Sequence, residues 1–299
     1  MLSKKDIEKE LGKGICISPL IPKNIKENSV NFSIGNHAWA LGSGSVQIGR
    51  HDEFVMAPHD STKQKYPIRA GGCAIVEHKG IQHLILLPHV TTIVETQEVI
   101  GLGNYIGGTI HSKVGIVAMG IGHIGTMMGP CFCGHLMISL HNITNRVISI
   151  PVGETFISLV FHYLDTPSQI RQNSNISGHV DKLAELGIHI DSHSREFLTE
   201  DWKCNFDGIC ENMMESKSYK EYKTQITKNK LKAIRSMLNV HNIVVAASLI
   251  LIAWLLSIVT SKLDTHYDTT VWTERYWTVI LTAIIVPAVS SVFKLFKQR

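Results

Sequence analysis

Two clusters in the middle of the chain carry side chains suited to chemistry. His111-Ser112-Lys113 places an imidazole, a hydroxyl and an ammonium in succession, with Gly107, Gly108 and Gly115 around them. Backbone amides freed by glycine, with a lysine beside them, can hold a phosphate. A strand-end turn with a solvated lysine accounts for the same residues equally well. The second cluster, Ile124 to Ser139, contains Cys131-x-Cys133-x-His135, with His123 nearby. Zinc favours tetrahedral sets of Cys and His, but alternate strand residues share a face at a spacing of about 7 Å. That spreads the four groups too far for one compact site, so no metal is expected. A third feature is an absence. No Asp or Glu occurs between Val99 and Gly153, whereas Lys113, Arg146 and four histidines (His111, His123, His135, His141) do. A cationic stretch without carboxylates favours an anionic ligand over acid–base catalysis. GLGNYIGG lacks the strand-to-helix setting of a dinucleotide fingerprint, and GxSxG, HExxH and Walker A patterns are missing. No cofactor is expected.

The elements that must position these groups run from Leu84 to Leu164. Leu136, Ile138 and Leu140 alternate with Met137, Ser139 and His141, and Phe156 to Tyr163 behaves similarly. Period-two alternation marks half-buried strands. Recurrent glycines between Gly101 and Gly134 make those strands short and sharply turned. The fold class expected is mainly β.

The order of segments resembles the dCTP deaminase/dUTPase family, a distorted jelly-roll β-fold that assembles as homotrimers. The resemblance rests on LSKKDIEKEL followed by ISPL, SVNFSIGNHAW (Ser29 to Trp39), LLPHVTTIVETQEVIGL, and IHSKVGIVAM (Ile110 to Met119) at the phosphate-binding element. It continues in TMMGPCFCGHLMISLHN (Thr126 to Asn142) at the last hairpin and in PVGETFISLVF. It covers residues 1–165. By this resemblance His111, Ser112 and Lys113 occupy the phosphate position, and Thr126, Phe132, Leu136 and Ser139 line the base and sugar pocket. Jelly-roll packing explains Phe132 and Leu136 just as well. In trimers of the family the site lies between subunits, so Lys113 could serve a ligand held by a neighbour.

The departures from the family pattern bear on activity. The glutamate that activates water in the deaminases is Ser139 here, the hairpin aspartate is Gly129, and the first-motif aspartate is Asn31. The phosphate-motif arginine and second serine are His111 and Lys113, and a later arginine is Ile116. A serine hydroxyl without a base partner does not deprotonate water near neutral pH. The resemblance therefore implies a pocket without a catalytic residue. Glu98 and Glu154, the nearest carboxylates in sequence, fall outside the aligned position.

The 299 residues are 44% hydrophobic and 18% charged, with a formal net charge of +4. That charge is too small to imply a nucleic-acid polymer as partner, and no basic run interleaves with stacking aromatics. Six cysteines without repeated CxxC pairs, behind an N-terminus lacking an apolar leader, read as a reduced cytoplasmic set without a disulfide framework.

The N-terminus predicts a helix over Met1 to Leu11, capped by Ser3. Beyond Asp165 the chain reads as a helical linker over 166–238, with helices at about His179 to Leu186, Ser194 to Trp202 and Glu211 to Leu238. The last of these is lysine-rich. Residues 239–299 read as a transmembrane hairpin with uncharged spans at 243–260 and 276–293. Each span rises roughly 27 Å, close to the hydrocarbon thickness of a bilayer. KNKLKAIR before the first span and KLFKQR after the second place both ends in the cytoplasm by the positive-inside rule.

Together these features predict a nucleotide-sensing effector in a cell membrane, of a kind met in bacterial anti-phage defence. An inactive deaminase-like domain binds a nucleotide or cyclic nucleotide, and a homotrimer or higher oligomer disrupts the lipid bilayer. A membrane-anchored, active dCTP deaminase or dUTPase and a non-enzymatic membrane scaffold are the alternatives.

Overall fold

The computed structural model describes residues 1–122, 125–168, 180–188 and 190–237, together with positions 250, 251, 254 and 258. The chain divides into two compact units, Met1–Thr224 and Gln225–Arg299. The first unit opens with α1 (Lys4–Glu10). Ser3 caps it as expected: Asp6 N donates to Ser3 Oγ (3.4 Å) and Ser3 N donates to Asp6 Oδ2 (3.0 Å). This reciprocal box satisfies two of the amides a helix start leaves unpaired. Gly12, at φ +77°, turns the chain out of the helix.

The strands follow as β1 (Ile15–Ser18), β2 (Val30–Ala40), β3 (Gly44–Ile48), β4 (Phe54–Met56), β5 (Tyr66–Ile68), β6 (Ile75–His78), β7 (Ile81–Leu86), β8 (Thr91–Leu102) and β9 (Ile106–Ser112). After the short α2 (Val114–Ala118) come β10 (Ile121–Gly122), β11 (Met127–Met128), β12 (Cys133–Asn142), β13 (Ile148–Pro151) and β14 (Thr155–Tyr163). The main sheet is antiparallel in the order β10-β12-β8-β2-β14-β9-β11, and β1 pairs with β8. Two three-stranded sheets, β13-β7-β6 and β4-β3-β5, complete the β architecture.

Strand β8 is the spine. Strand β12 runs along one edge of it, while β2 takes Thr92 to Thr96 and β1 takes Val99 to Leu102 on the other. Register shifts interrupt β12 between His135 and Met137, β2 between Ile34 and Ala38, and β14 between Thr155 and Ile157. Such bulges add local twist, and the sheet curls around a core that includes Phe32, Phe156 and Phe161, all fully buried. The expected alternation in β12 is seen: Leu136, Ile138 and Leu140 are buried, while Ser139 is exposed.

Four α-helices follow the strands: α3 (Val180–Glu185), α4 (Ser192–Leu198), α5 (Phe206–Glu215) and α6 (Lys217–Met237), with a 3-10 turn (Asp201–Lys203) between α4 and α5. The first three differ from the linker expected of them, because they pack on the β-domain. Leu183, Ile188 and Leu198 bury themselves with Trp39 and Ile93. Helix α5 sinks Ile209, Cys210 and Met213 into the main core. Gly101 allows that approach, since a Cβ there would lie 3.2 Å from the Phe206 ring. Cys16 of β1 and Cys210 of α5 are joined by a disulfide with Cα atoms 5.0 Å apart, a correction to the reading of all cysteines as reduced. The single helix expected over 211–238 is two, because Ser216 takes an extended conformation and ends α5. Among the described residues no helix is long and apolar enough to cross a membrane. The spans expected at 243–260 and 276–293 lie almost wholly outside those residues.

Candidate functional site

A cavity of about 400 Å³ opens where the β9–β11 pair meets β12. Strand β12 pairs with β8 along its length, but with β10 only at His141 and Asn142. Among the described residues its second edge is otherwise unpaired, and His135 to Ile138, four residues in succession, line the cavity. Thr126 and Phe132 complete the part anticipated from sequence, with Leu136 already on the strand edge. Lys182 of α3 also lines it, a contribution from outside the β-domain. A larger cleft of about 540 Å³, lined by Phe54, Met119 and Arg146 among others, holds none of the anticipated residues. The smaller cavity is therefore the candidate site.

The other anticipated residues fall outside this cavity within one chain. Lys113 stands at the start of α2 and donates to Thr155 Oγ1. Ser112 pairs with Ile157 in the sheet. His111 Nε2 bonds Thr109 Oγ1 at 3.0 Å. Ser139 is exposed and pairs with Ile93 on β8. The structure thus gathers Thr126, Phe132 and Leu136, and leaves His111, Ser112, Lys113 and Ser139 elsewhere on the surface of the domain.

His135 is the residue that sequence reading passed over as a ligand-binding group. Its Nδ1 lies 2.8 Å from the carbonyl oxygen of Thr96. A carbonyl only accepts, so Nδ1 carries the proton and Nε2 of the neutral ring presents a lone pair. Burial holds its pKa below the ordinary histidine value, which keeps the ring neutral. Nε2 is buried and has no hydrogen-bond partner among the described residues. The sequence signal that included it was the Cys131-x-Cys133-x-His135 spacing, weighed there only for zinc.

Two buried carboxylates on β8 were also legible only as sequence positions. Glu98 accepts from Ser33 N (2.8 Å) and Ser33 Oγ (2.9 Å), and burial raises its pKa. That role is structural and removes it as a substitute base. Glu154 is exposed at the turn into β14. Glu95 pairs across the sheet with Met137, two residues from Ser139 on the same strand. It is buried, and its carboxylate meets His37 Nδ1 at 3.0 Å. Gly35 makes room for it, because a Cβ there would come within 2.4 Å of Glu95 Cγ.

The appended helices reach the same neighbourhood. The Phe197 ring centroid lies 5.0 Å from that of His37 and 5.6 Å from that of His135. The buried Lys203 ammonium sits 3.3 Å from the Phe197 centroid and bonds Glu200 Oε1 at 3.1 Å. As for metal, Cys133 is buried, which pushes its thiol up to about 12, and His123 lies outside the described residues. No group of three or more Cys, His, Asp or Glu among the described residues is placed to hold a metal ion.

The sequence profile of the family described as dCTP deaminase-like matches residues 1–164, more than half of the chain. The chain belongs to the dCTP deaminase-like family. Among curated proteins it is similar to the dUMP-forming dCTP deaminase of Methanoregula boonei, 27% identical over 150 residues, covering 50% of this chain and 73% of that one. The dUMP-forming dCTP deaminase of Methanosphaerula palustris is 24% identical over 170 residues, covering 55% and 82%. Among solved structures, the 2'-deoxycytidine 5'-triphosphate deaminase of Agrobacterium tumefaciens aligns at 12% identity over 54% of this chain and 46% of that one, with a TM-score of 0.34. The native EIAV dUTPase aligns at 15% identity over 46% and 98%, with a TM-score of 0.26. The mainly β, curled-sheet domain is thus that of the dCTP deaminase-like family. Helices α3 to α6, two of which supply Lys182 and Phe197, and the 3-10 turn Asp201–Lys203 between α4 and α5, which supplies Lys203, lie beyond the matched residues.

Proposed function

We propose that this dCTP deaminase-like protein binds a nucleotide without turning it over, and that it acts as a nucleotide-sensing membrane effector, of the kind used in bacterial anti-phage defence. The observation that carries the reading is a cavity on the family hairpin that lacks carboxylates among its lining residues. Ser139, at the position that the resemblance gives to the water-activating glutamate, is exposed and is not among the cavity's lining residues. The buried carboxylates of β8, Glu95 and Glu98, are already engaged by His37 and Ser33. A cyclic nucleotide or a deoxynucleoside triphosphate supplies the anion that a cationic, acid-free stretch favours. The uncharged segments at 243–260 and 276–293, with basic flanks, support residence in a cell membrane with both ends cytoplasmic. Val114, Val117 and Met127, exposed at 85%, 53% and 83%, support a homo-oligomeric contact beside the phosphate element.

The test is nucleotide-dependent leakage from dye-loaded liposomes containing the full chain. Dye release on adding one of a panel of cyclic nucleotides and deoxynucleoside triphosphates is the expected result. Silence across the panel sinks the effector reading, and release of uracil nucleotides from dCTP in the same vesicles sinks the claim of inactivity.

A further inference from the structure

Seven of the 21 residues of α6 are Lys or Arg, against one carboxylate, Glu221. Glu221 meets Lys217 at 3.8 Å, both side chains being exposed, so the one acid is spent at the start of the helix. Lys228, Lys230 and Lys232, further along, are exposed and have no ion pair among the described residues. No Asp or Glu occurs from Tyr222 to Leu263 that could compensate them. Lys228 and Lys232 stand one turn apart, where like charges repel, and an anionic surface would turn that repulsion into attraction.

A second observation says which anionic surface. Five residues separate Met237 from the uncharged stretch 243–260. Even fully extended, that gap spans only about 20 Å. Within the stretch, Ile250, Leu251 and Trp254 are helical and more than half exposed. A basic helix followed closely by exposed apolar helical side chains fits a bilayer, with phosphate headgroups for the lysines and hydrocarbon for the apolar groups. A nucleic acid would answer the lysines alone and leave the apolar side chains in water.

We propose that α6 binds the anionic phospholipid headgroups of the leaflet that the apolar stretch enters. The proposal rests on the membrane reading above and names the lipid partner. Each lysine near such a surface strengthens binding about fivefold, so the effect is collective and sensitive to salt.

The experiment places the full chain in lipid nanodiscs of phosphatidylcholine, and in discs of equimolar phosphatidylcholine and phosphatidylglycerol. Lysine acylation by a water-soluble amine reagent is then followed at each site by peptide mass spectrometry. Lys228, Lys230 and Lys232 should react about five- to tenfold more slowly in the anionic discs, and high salt should erase the difference. Lys79, paired with Asp52 in the β-domain, should react alike in both. Lys228→Glu with Lys232→Glu should bring Lys230 to within twofold between the two lipids, whereas Lys228→Arg with Lys232→Arg should keep the contrast. Equal wild-type rates in discs that both hold the chain overturn the headgroup assignment and spare the membrane reading. A chain that enters neither disc ends the membrane reading and the assignment with it. Stronger protection of these lysines by duplex DNA than by the anionic discs gives the helix to nucleic acid and likewise overturns the proposal. Should the charge-reversed variant fail to fold, the wild-type comparison between lipids decides alone.

Discussion

Replacing Leu198 with alanine tests whether α3 and α4 belong to the folded domain. Leu198 is fully buried, in a cluster with Trp39, Ile93, Leu183 and Ile188. Truncating a buried leucine removes its transfer free energy and leaves a cavity, about 2–5 kcal/mol together. The cluster is small and is covered by two short helices, α3 and α4, which can partly collapse into the gap, so about 3 kcal/mol is expected. For a unit of this size each kcal/mol lowers Tm by about 2–4 °C, giving a fall of about 6–12 °C. The transition is followed by far-UV circular dichroism, in urea and on heating, on the full chain in micelles. The midpoint should move with the urea m-value unchanged. A shift below about 0.5 kcal/mol, the scale of an ordinary surface substitution, would falsify the packed arrangement and return the helices to the status of a linker.

Gly35→Ala forces a Cβ to within 2.4 Å of Glu95 Cγ, and overpacking of this kind costs about 1–3 kcal/mol; a stability equal to wild type in urea melts would show that Glu95 is not held there. Acidification should destabilise the domain, because burial holds His135 and His83 below their ordinary value. The unfolded chain then binds protons first, so stability present above about pH 6.5 is lost as pH falls below it; His135→Phe should flatten part of that slope, and an unchanged slope refutes the buried neutral ring. Lys203→Met trades a buried ammonium, its pKa lowered mainly by burial, for an apolar chain of similar length. Glu200 is 40% exposed and can rehydrate, so chemical denaturation should register a change within about 1 kcal/mol, and a loss of several would mean the cation–aromatic contact dominates. Val117→Asp should lower the oligomer mass seen by light scattering if the exposed α2 face joins copies of the chain; an unaltered mass removes that face from the assembly.

Much of the domain was written locally. Ser3 and Asp6 make a helix start that needs only a few residues to form. The alternation from Leu136 to His141 specifies a strand with one buried face whatever lies beneath it. The order of glycine-punctuated strands is a property of the sequence alone. Thr126, Phe132 and Leu136 could be grouped because one hairpin carries them.

What sequence could not decide depends on contacts between residues far apart in the chain. Whether Cys16 meets Cys210 is a question of sequence separation 194, and no local pattern encodes it. Helices α3 to α5 have the polar surfaces of a linker, yet a few apolar residues such as Leu198 and Ile209 dock them. That docking needs the matching surface around Trp39 and Gly101, which only the folded sheet assembles. His135 and Lys182 are separated by most of the β-domain's last third and its polar extension. The curl of the main sheet and the packing of α3 bring them to one cavity, and the Thr96 carbonyl alone fixes which nitrogen of His135 carries the proton.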